Sequence, residues 1–392
     1  MDISDFFEPL NLREFPHCGE TSGQARLGNL IRINSETGDF PDYSTFDMAL
    51  VGVTDDRNAV DNEGCGLAPD AIRKYLYSLN PGPHPNKLVD LGNIKKGFTV
   101  ADTYFALSSV IAELISNNVL PVIMGGSQDL TYANYQAYQS LGQIINIVAV
   151  DPMFDLGKSE QELCSQSYLS SIILHQPNYL FNYANIGYQT YFIDQDAIKL
   201  MRNLFFDTYR LGIVHESLEE VEPIVRNADM LSFDISAVRN SDAPGNGNAT
   251  PNGFYGEEAC QIIRFAGLSD KLTSIGFYEV NPRYDKSGQT AHLVAQMIWY
   301  FIDGFYCRAH DFPFRNEEDY LKYRVSISDH KEEIVFYKSK KTDRWWMEIP
   351  LPTEQRIKYE RHYLVPCSYK DYQIACENDI PDRWWMVYQK LM

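Results

Sequence analysis

Runs of consecutive apolar residues alternate with helix-like periodicity from residue 46 to about residue 307. Short apolar runs are typical of buried strands, whereas apolar residues recurring every three or four positions indicate helices. The runs predict eight strands, at residues 47–53, 88–92, 119–124, 144–150, 182–188, 210–214, 229–235 and 272–278. Segments such as 68–79 and 100–115 predict helices between the strands, and the almost wholly apolar segment 291–306 predicts a buried helix.

This alternation predicts a single α/β domain with a parallel sheet over residues 46–307. Right-handed crossover connections place helices on both faces of such a sheet, which gives a three-layer α/β/α arrangement. Residues 1–45 carry no clear pattern, and we expect them to form an N-terminal segment packed on the core.

Beyond the predicted domain, residues 308–392 are rich in Tyr, Trp, Lys and Glu. They predict an aromatic-rich α+β C-terminal extension. Its predicted elements are a strand pair at 333–338 and 344–349 around a Lys-rich turn, a capped helix at 368–377, and a helix with Pro381 in its first turn.

The pentapeptide Asp-Arg-Trp-Trp-Met occurs twice in this extension, at residues 343–347 and 382–386. One interpretation is that its aromatic side chains close the hydrophobic surface between the extension and the main domain. The other is a Trp-rich docking surface for a protein partner, because Trp and Arg are favoured interface anchors.

Composition and charge exclude several classes of function. With a formal net charge of -19, the chain is not expected to bind nucleic acid. It contains no apolar stretch near 18 residues, so no membrane span is predicted. The first 13 residues lack a basic start and an apolar segment, which argues against a secretory signal. The seven cysteines are scattered and form no C-x-x-C pair, as expected for reduced, packed thiols of a cytoplasmic protein.

Three polar motifs follow predicted strands. They are M-G-G-S-Q-D-L at residues 124–130, the pair Asp151 and Asp155, and L-S-F-D-I-S-A-V-R-N-S-D-A-P at residues 231–244. Ligands of open α/β sheets bind beyond the carboxyl ends of the strands. Two acids placed just past such an end can hold a cation together.

In this order the three motifs resemble the signatures of the ureohydrolase family, which includes arginase, agmatinase and formimidoylglutamase. Those signatures are G-G-x-H-D, D-A-H-x-D and S-F-D-x-D-x-x-D-P followed by A-P-G. The resemblance covers about residues 46–307, and E-V-N-P at residues 279–282 matches a further family element. It implies an arginase-like, eight-stranded parallel sheet flanked by helices. It also implies a chemistry in which two manganese ions activate a bridging water that attacks a guanidinium or formimino carbon.

The resemblance further implies six metal ligands, two histidines and four aspartates, of which this chain keeps half. Asp151, Asp155 and Asp234 are kept, whereas Gln128, Met153 and Ser236 stand in place of two histidines and an aspartate. The second ion would depend on a thioether and a hydroxyl, which are poor ligands for a hard divalent ion. We therefore expect no manganese pair. Two alternatives stay open: a single Mn, Mg or Ca ion held by Gln128 and the three acids, or a metal-free cluster pinned by backbone N–H groups.

Several nearby residues have two interpretations. Without a cation, clustered acids repel one another, so at least one should have a raised pKa. Asp129 is expected either to support the ligands from behind or to cap a helix. Glu279 matches the family's substrate-amidine carboxylate or is retained for loop geometry. His175, expected inside a helix, and His292, expected on a buried one, are read as structural. The family's proton-shuttle loop has no counterpart here.

We therefore predict an arginase-like pseudoenzyme with a degenerate metal site that serves as a binding, scaffold or regulatory subunit. The alternative is an active hydrolase of a guanidino or formimino compound that uses a reduced, mononuclear site. A third hypothesis is a small-molecule sensor that binds an amino-acid-like ligand through Glu279 and the loops. Homo-oligomerisation, which is frequent in the family that the chain resembles, is left open.

Overall fold

The computed structural model describes residues 2–15, 26–157, 162–313, 317–328 and 333–391. Its strands are β1 (Phe7–Glu8), β2 (Arg32–Ile33), β3 (Met48–Val53), β4 (Leu88–Ile94), β5 (Leu120–Met124), β6 (Ile145–Val150), β7 (Leu180–Tyr188), β8 (Asp207–Arg210), β9 (Met230–Asp234), β10 (Ser274–Tyr278), β11 (Tyr320–Val325), β12 (Ile334–Ser339), β13 (Trp345–Glu348) and β14 (Leu364–Cys367). Its α-helices are α1 (Leu27–Leu30), α2 (Ala68–Leu76), α3 (Val100–Ser116), α4 (Leu130–Ser140), α5 (Tyr168–Leu174), α6 (Gln195–Asn203), α7 (Leu211–Glu216), α8 (Val221–Arg226), α9 (Gly256–Gly267), α10 (Gln289–Tyr306), α11 (Thr353–Lys358), α12 (Tyr369–Cys376) and α13 (Asp382–Leu391).

The main sheet has the strand order β1-β4-β3-β5-β10-β9-β6-β7-β8, with β2 also paired to β4. The eight strands from β4 to β8 in this order are all parallel to their neighbours, which confirms the predicted eight-stranded parallel sheet. The two-residue strands β1 and β2 join its edge from the N-terminal segment, β1 antiparallel and β2 parallel to β4.

Helices cover both faces of this sheet because successive residues of its inner strands point in opposite directions. In β3, Met48 and Leu50 pack with apolar residues of α2, α9 and α10, whereas Ala49 and Val51 pack with those of α3 and α4. This arrangement confirms the three-layer α/β/α prediction.

The prediction of a strand at residues 210–214 is wrong. The strand is β8, Asp207–Arg210, and the apolar residues that follow it form the helix α7. A short apolar run does not by itself distinguish a strand from one helical turn. Here Val214 is buried while Ile213 is 57% exposed. Because β8 lies at the edge of the sheet and is only partly buried, its sequence lacks the apolar signal of the inner strands.

The C-terminal extension contains a second sheet, in which β11, β12, β13 and β14 pair antiparallel in that order. The pair β12 and β13 confirms the predicted strand pair. Helix α12 confirms the predicted capped helix, because Ser368 and Asp371 form a capping box at its start. Pro381 immediately precedes α13 instead of lying in its first turn.

The two Asp-Arg-Trp-Trp-Met copies adopt different structures, one in β13 and one at the start of α13. Three of their four tryptophans are buried, and Trp385 is 42% exposed. The Arg226 guanidinium of α8 lies 4.4 Å from the ring centroid of Trp346 and donates to the carbonyl of Trp345 at 3.2 Å. The first copy therefore packs against the main domain, as the first interpretation expects. A docking role for the exposed side chain stays a prediction.

The six cysteines within the described ranges carry free thiols. Three are buried, but Cys307 and Cys376 are exposed, so the expectation of packed thiols is wrong for these two. Cys18 lies outside the described residues. In the part of the chain that the structure describes, every helix is too short or too polar to cross a lipid bilayer.

Candidate functional site

The motifs meet at the carboxyl edge of the main sheet because four central strands end level with one another. Phe277 of β10 pairs with Met124 of β5, Tyr278 pairs with Asp234 of β9, and Phe233 pairs with Val150 of β6. The residues that follow these ends carry the polar side chains. Segments far apart in sequence therefore share one buried polar cluster, which lies where ligands of parallel α/β sheets bind. We call this cluster the acid pocket, and it is made of Gln128, Asp151, Asp155, Asp234 and Glu279.

The turn after β5 places Gln128 over this edge. Gly125 and Gly126 have φ angles of 83° and 75°, a left-handed conformation that favours glycine. A Cβ atom on Gly126 would lie 2.7 Å from the carbonyl oxygen of Asp55, so a larger residue does not fit. The turn leads directly into α4, and the Gln128 side chain is 1% exposed.

Gln128 and Asp151 form the central contact of the pocket. The Gln128 Nε2 donates to Oδ2 of Asp151 at 2.8 Å, and the backbone N–H of Met153 donates to Oδ1 at 2.6 Å. Asn185 fixes this turn by donating to the carbonyl oxygen of Met153 at 2.7 Å. Both carboxyl oxygens of Asp151 therefore have protein hydrogen-bond donors.

Asp234 is held in a similar way. Its Oδ1 accepts the backbone N–H of Ser236 at 2.7 Å, which starts a single 3₁₀ turn over Ile235–Ala237. Ser236 is buried and contributes a backbone donor to this acid. Ser236, at a position where the family resemblance implies an aspartate, thus supports Asp234 in this chain.

Glu279 joins the pocket through two donors. Its Oε1 accepts the backbone N–H of Gln128 at 2.8 Å, and its Oε2 accepts Nδ2 of Asn62 at 2.7 Å. Burial raises the pKa of Glu279 to about 7, although the hydrogen bonds from Asn62 and Gln128 act to lower it. Asn281 holds Asn62 in turn, donating from Nδ2 to the Asn62 Oδ1 at 2.9 Å. Asn281 of the E-V-N-P element thus orients Asn62, the hydrogen-bond partner of Glu279 in the same element.

Burial raises the pKa of all three aspartates of the pocket. For Asp155 the increase is large, because burial is reinforced by the negative charge of Asp151 and by a hydrogen bond between the two carboxyl groups. For Asp234 burial is reinforced by the charges of Asp151 and Glu279. The expectation that at least one clustered acid has a raised pKa is therefore confirmed.

Two tyrosines that sequence reasoning missed complete the pocket. Gln128 Nε2 lies 3.4 Å from the Tyr168 hydroxyl, and Tyr168 and Tyr183 are both fully buried. Burial, together with the nearby Asp151 and Asp155 charges, raises the pKa of both phenols well above their usual value. Neither residue belongs to a motif, and the predicted strand at residues 182–188 includes Tyr183 without placing it beside the acids.

The donor atoms of the pocket indicate what it can bind. In the described part of the chain, the carboxyl oxygens of Asp151, Asp155 and Asp234 do not form a group in which all lie within 4.8 Å of one another. Asp151 and Asp234 accept hydrogen bonds from protein donors, whereas the carboxyl group of Asp155 shares a hydrogen bond with that of Asp151. Met153 and Ser236, at two of the positions where the family resemblance implies lost ligands, offer a thioether and a neutral hydroxyl, which suit hard divalent ions poorly.

The other singled-out residues lie outside this cluster. Asp129 accepts hydrogen bonds from the hydroxyls of Tyr104 and Ser127 and makes no side-chain cap for α4, so the capping interpretation is wrong. His175 follows α5 instead of lying inside it, and its Nδ1 is 2.9 Å from the Tyr132 hydroxyl. This contact is consistent with the structural role expected of His175, which stays a prediction.

His292 lies on α10, where it is partly buried and stacks on the ring of Tyr75 at a centroid distance of 4.7 Å. This contact is consistent with the structural role that was predicted for His292, which stays a prediction.

Several known proteins resemble this chain in sequence or in structure. Among curated sequences, the chain is 26% identical over 266 residues to formimidoylglutamase from Staphylococcus aureus, covering 65% of this chain and 85% of that protein. Among solved structures, it resembles Trypanosoma cruzi formiminoglutamase with Mn2+, at 19% identity and a TM-score of 0.63, covering 73% of this chain and 99% of the other. It also resembles Bacillus subtilis formimidoylglutamase, at 17% identity and a TM-score of 0.65, covering 74% and 95% of the two chains.

The two structural likenesses show a shared fold. The family assignment comes from a sequence model of the arginase family, which matches residues 46–303. This match spans the whole parallel sheet, from β3 to β10, and most of α10. The chain therefore belongs to the arginase family.

Proposed function

We propose that this protein has the arginase fold but lacks manganese-pair hydrolysis of amidines, and that it acts as a binding, scaffold or regulatory subunit. The observation that carries the proposal is the hydrogen bond of 2.8 Å from Gln128 Nε2 to Asp151 Oδ2. A neutral amide donor satisfies an acid that, in the family, would face a cation. This hydrogen bond thus stabilises Asp151 without a metal ion.

The donor set does not fit a pair of manganese ions. Met153 and Ser236 replace ligands on which a second ion would depend, and neither offers a charged oxygen or an imidazole. A single divalent ion is the most that the pocket can hold. It would require the Gln128 amide oxygen and the carboxylates of Asp151, Asp155 and Asp234 to turn toward a common centre.

The second candidate function is hydrolysis of a guanidino or formimino compound at such a single-ion site. Its support is the likeness to formimidoylglutamases together with three retained acids. A single ion can still acidify water, but it cannot clamp both the attacking and the leaving atoms. We rank this candidate second because the three acids do not converge on one point.

An amidine panel separates the two candidates. The full chain would be incubated with arginine, agmatine and formimidoylglutamate, with Mn2+, with Mg2+ and after chelation. Release of urea, ammonia or formamide would be followed, with Asp234→Asn as the matched control. We expect wild type and control to give the same background. Turnover by wild type that Asp234→Asn abolishes would overturn the proposal.

A further inference from the structure

A second set of potential metal ligands lies away from the acid pocket, at the C-terminal end of α10. A ring nitrogen of His84, a carboxyl oxygen of Asp303 and Sγ of Cys307 all lie within 4.8 Å of one another. The His84 Nε2 is 3.1 Å from Asp303 Oδ1. Among the described residues, these three side chains form a group whose ligand atoms lie close enough together to hold one metal ion.

The helix and one loop bring these residues together. Asp303 and Cys307 are four residues apart, a spacing that places both on one face of a helix. The loop that carries His84 is tied to the same helix on both sides. Trp299 Nε1 donates to the carbonyl of Asn80 at 2.8 Å, and the Tyr306 hydroxyl accepts the backbone N–H of Lys87 at 2.7 Å. His84 is therefore held against α10.

Neighbouring groups also orient the ligands. Arg264 Nε donates to Oδ2 of Asp303 at 2.9 Å, which leaves Oδ1 facing His84. Asn86 donates to the carbonyl of His84 at 2.7 Å, and the His84 ring stacks on Tyr306 at a centroid distance of 5.4 Å. Hydrogen bonds of this kind fix the orientation of ligands at metal sites.

We propose that His84, Asp303 and Cys307 bind one borderline-soft divalent cation of the zinc type. Sulfur, imidazole nitrogen and carboxylate oxygen are the ligands that zinc takes in proteins. A thiolate with an imidazole selects zinc over the hard ions that suit an oxygen-lined pocket. Three protein ligands leave a fourth tetrahedral position for water. The site is independent of the proposed function, because none of its ligands belongs to the acid pocket.

Geometry and charge both permit the ion. Ligand atoms around zinc at metal-ligand distances of 2.0 to 2.3 Å lie roughly 3 to 4 Å apart, so the observed group needs only a small contraction. The His84 and Asp303 side chains are 16% and 19% exposed, and Cys307 is exposed, so the ion can enter from solvent. A Cys307 thiolate and the Asp303 carboxylate carry two negative charges against the one positive charge of Arg264. The cation therefore meets net negative charge.

Cobalt is a suitable probe, because a cobalt-thiolate bond gives a charge-transfer absorption band that oxygen ligands do not give. Reduced, chelator-treated full chain would be titrated with Co2+ and then with Zn2+, and bound metal would be counted by elemental analysis. We expect the band to appear, to saturate at one equivalent and to disappear when zinc displaces cobalt. Cys307→Ser should abolish it, and His84→Ala or Asp303→Asn should weaken binding more than about tenfold.

Two kinds of control test the assignment. Cys376→Ser, which removes another exposed cysteine, and Asp234→Asn, which alters the acid pocket, should leave the band unchanged. Arg264→Gln should weaken binding about tenfold by freeing Asp303 to turn away. Absence of the band in wild type, its persistence in Cys307→Ser, or equal affinity in His84→Ala would each overturn the proposal.

Discussion

The side chain of Gln128 donates a hydrogen bond of 2.8 Å to the carboxylate of Asp151, two residues that follow different strands of one parallel sheet. Both are about 1% exposed. An unpaired buried carboxylate is costly, so the amide stabilises the charged partner. This contact joins two segments of the pocket through Gln128, the residue at the position where the family resemblance implies a metal-binding histidine.

Replacing Gln128 with leucine should destabilise the protein by about 1 to 3 kcal/mol, because Asp151 Oδ2 loses its short side-chain donor. Urea denaturation at pH 7 measures the change. Gln261→Leu, on the exposed side of α9, is the matched control and should change stability by about 0.5 kcal/mol or less. Equal effects of the two substitutions would contradict the role given to Gln128.

The pKa of Glu279 gives a prediction with a definite sign. Burial raises it from the ordinary value of 4.5 to about 7. Between these pH values the folded chain retains a proton that the unfolded chain releases, so this contribution to stability is lost as pH rises through the interval. Relative to Glu279→Gln, wild type should lose about 3 kcal/mol of unfolding free energy between pH 4.5 and 7.

The comparison with the variant is essential, because other groups titrate in the same interval. Burial lowers the pKa of His362 to about 3, which makes stability rise with pH over the range in which Glu279 makes it fall. Urea denaturation after chelation, at several pH values, separates the two effects. Glu377→Gln, at an exposed acid, should follow the wild-type profile. A Glu279→Gln profile parallel to wild type would rule out the raised pKa.

The second copy of the pentapeptide places a buried and an exposed tryptophan next to each other in α13. Trp384 is fully buried and donates from Nε1 to the carbonyl of Glu348 at 3.0 Å, whereas Trp385 is 42% exposed. Trp384→Ala should cost about 3 to 5 kcal/mol and Trp385→Ala about 0.5 kcal/mol. Thermal and urea denaturation provide the measurement. If Trp385 is part of a docking surface, its substitution should weaken partner binding while leaving stability unchanged.

Restoring the family ligands should restore metal binding. The triple variant Gln128→His, Met153→His and Ser236→Asp returns two imidazoles and a carboxylate to the pocket. We expect manganese content to rise from at most one ion per chain to two, measured by elemental analysis after dialysis against Mn2+. Ser236→Asp alone is the control and should not reach two ions. No gain in the triple variant would mean that the pocket no longer has room for the pair.

The sequence predicted the central sheet well, because strands buried on both faces have nearly continuous apolar sequences. The edge strand β8 and the outer strands β11 and β14 were missed. β8 and β11 are largely exposed or only partly buried, which weakens that signal. The strand β14, by contrast, is fully buried but only four residues long.

The pocket was predicted only where residues belong to a motif. Gln128, Asp151, Asp234 and Glu279 follow strand ends, and parallel strands bring such ends to one edge. The pairing of Asn62 with Glu279 joins residues 217 positions apart and depends on tertiary packing. The spacing of Asp303 and Cys307 is visible in the sequence, but nothing in it places His84 beside them.

The number of manganese ions bound per chain decides whether this protein holds a metal pair. Purified full chain would be saturated with Mn2+, dialysed and analysed for metal, and the same sample would be crystallised for anomalous scattering from manganese beside Asp151, Asp155 and Asp234. We predict no ion or a single ion there, with the amide nitrogen of Gln128 still hydrogen-bonded to Asp151 if the site is empty. Two manganese ions sharing a bridging solvent molecule at these residues would contradict this prediction.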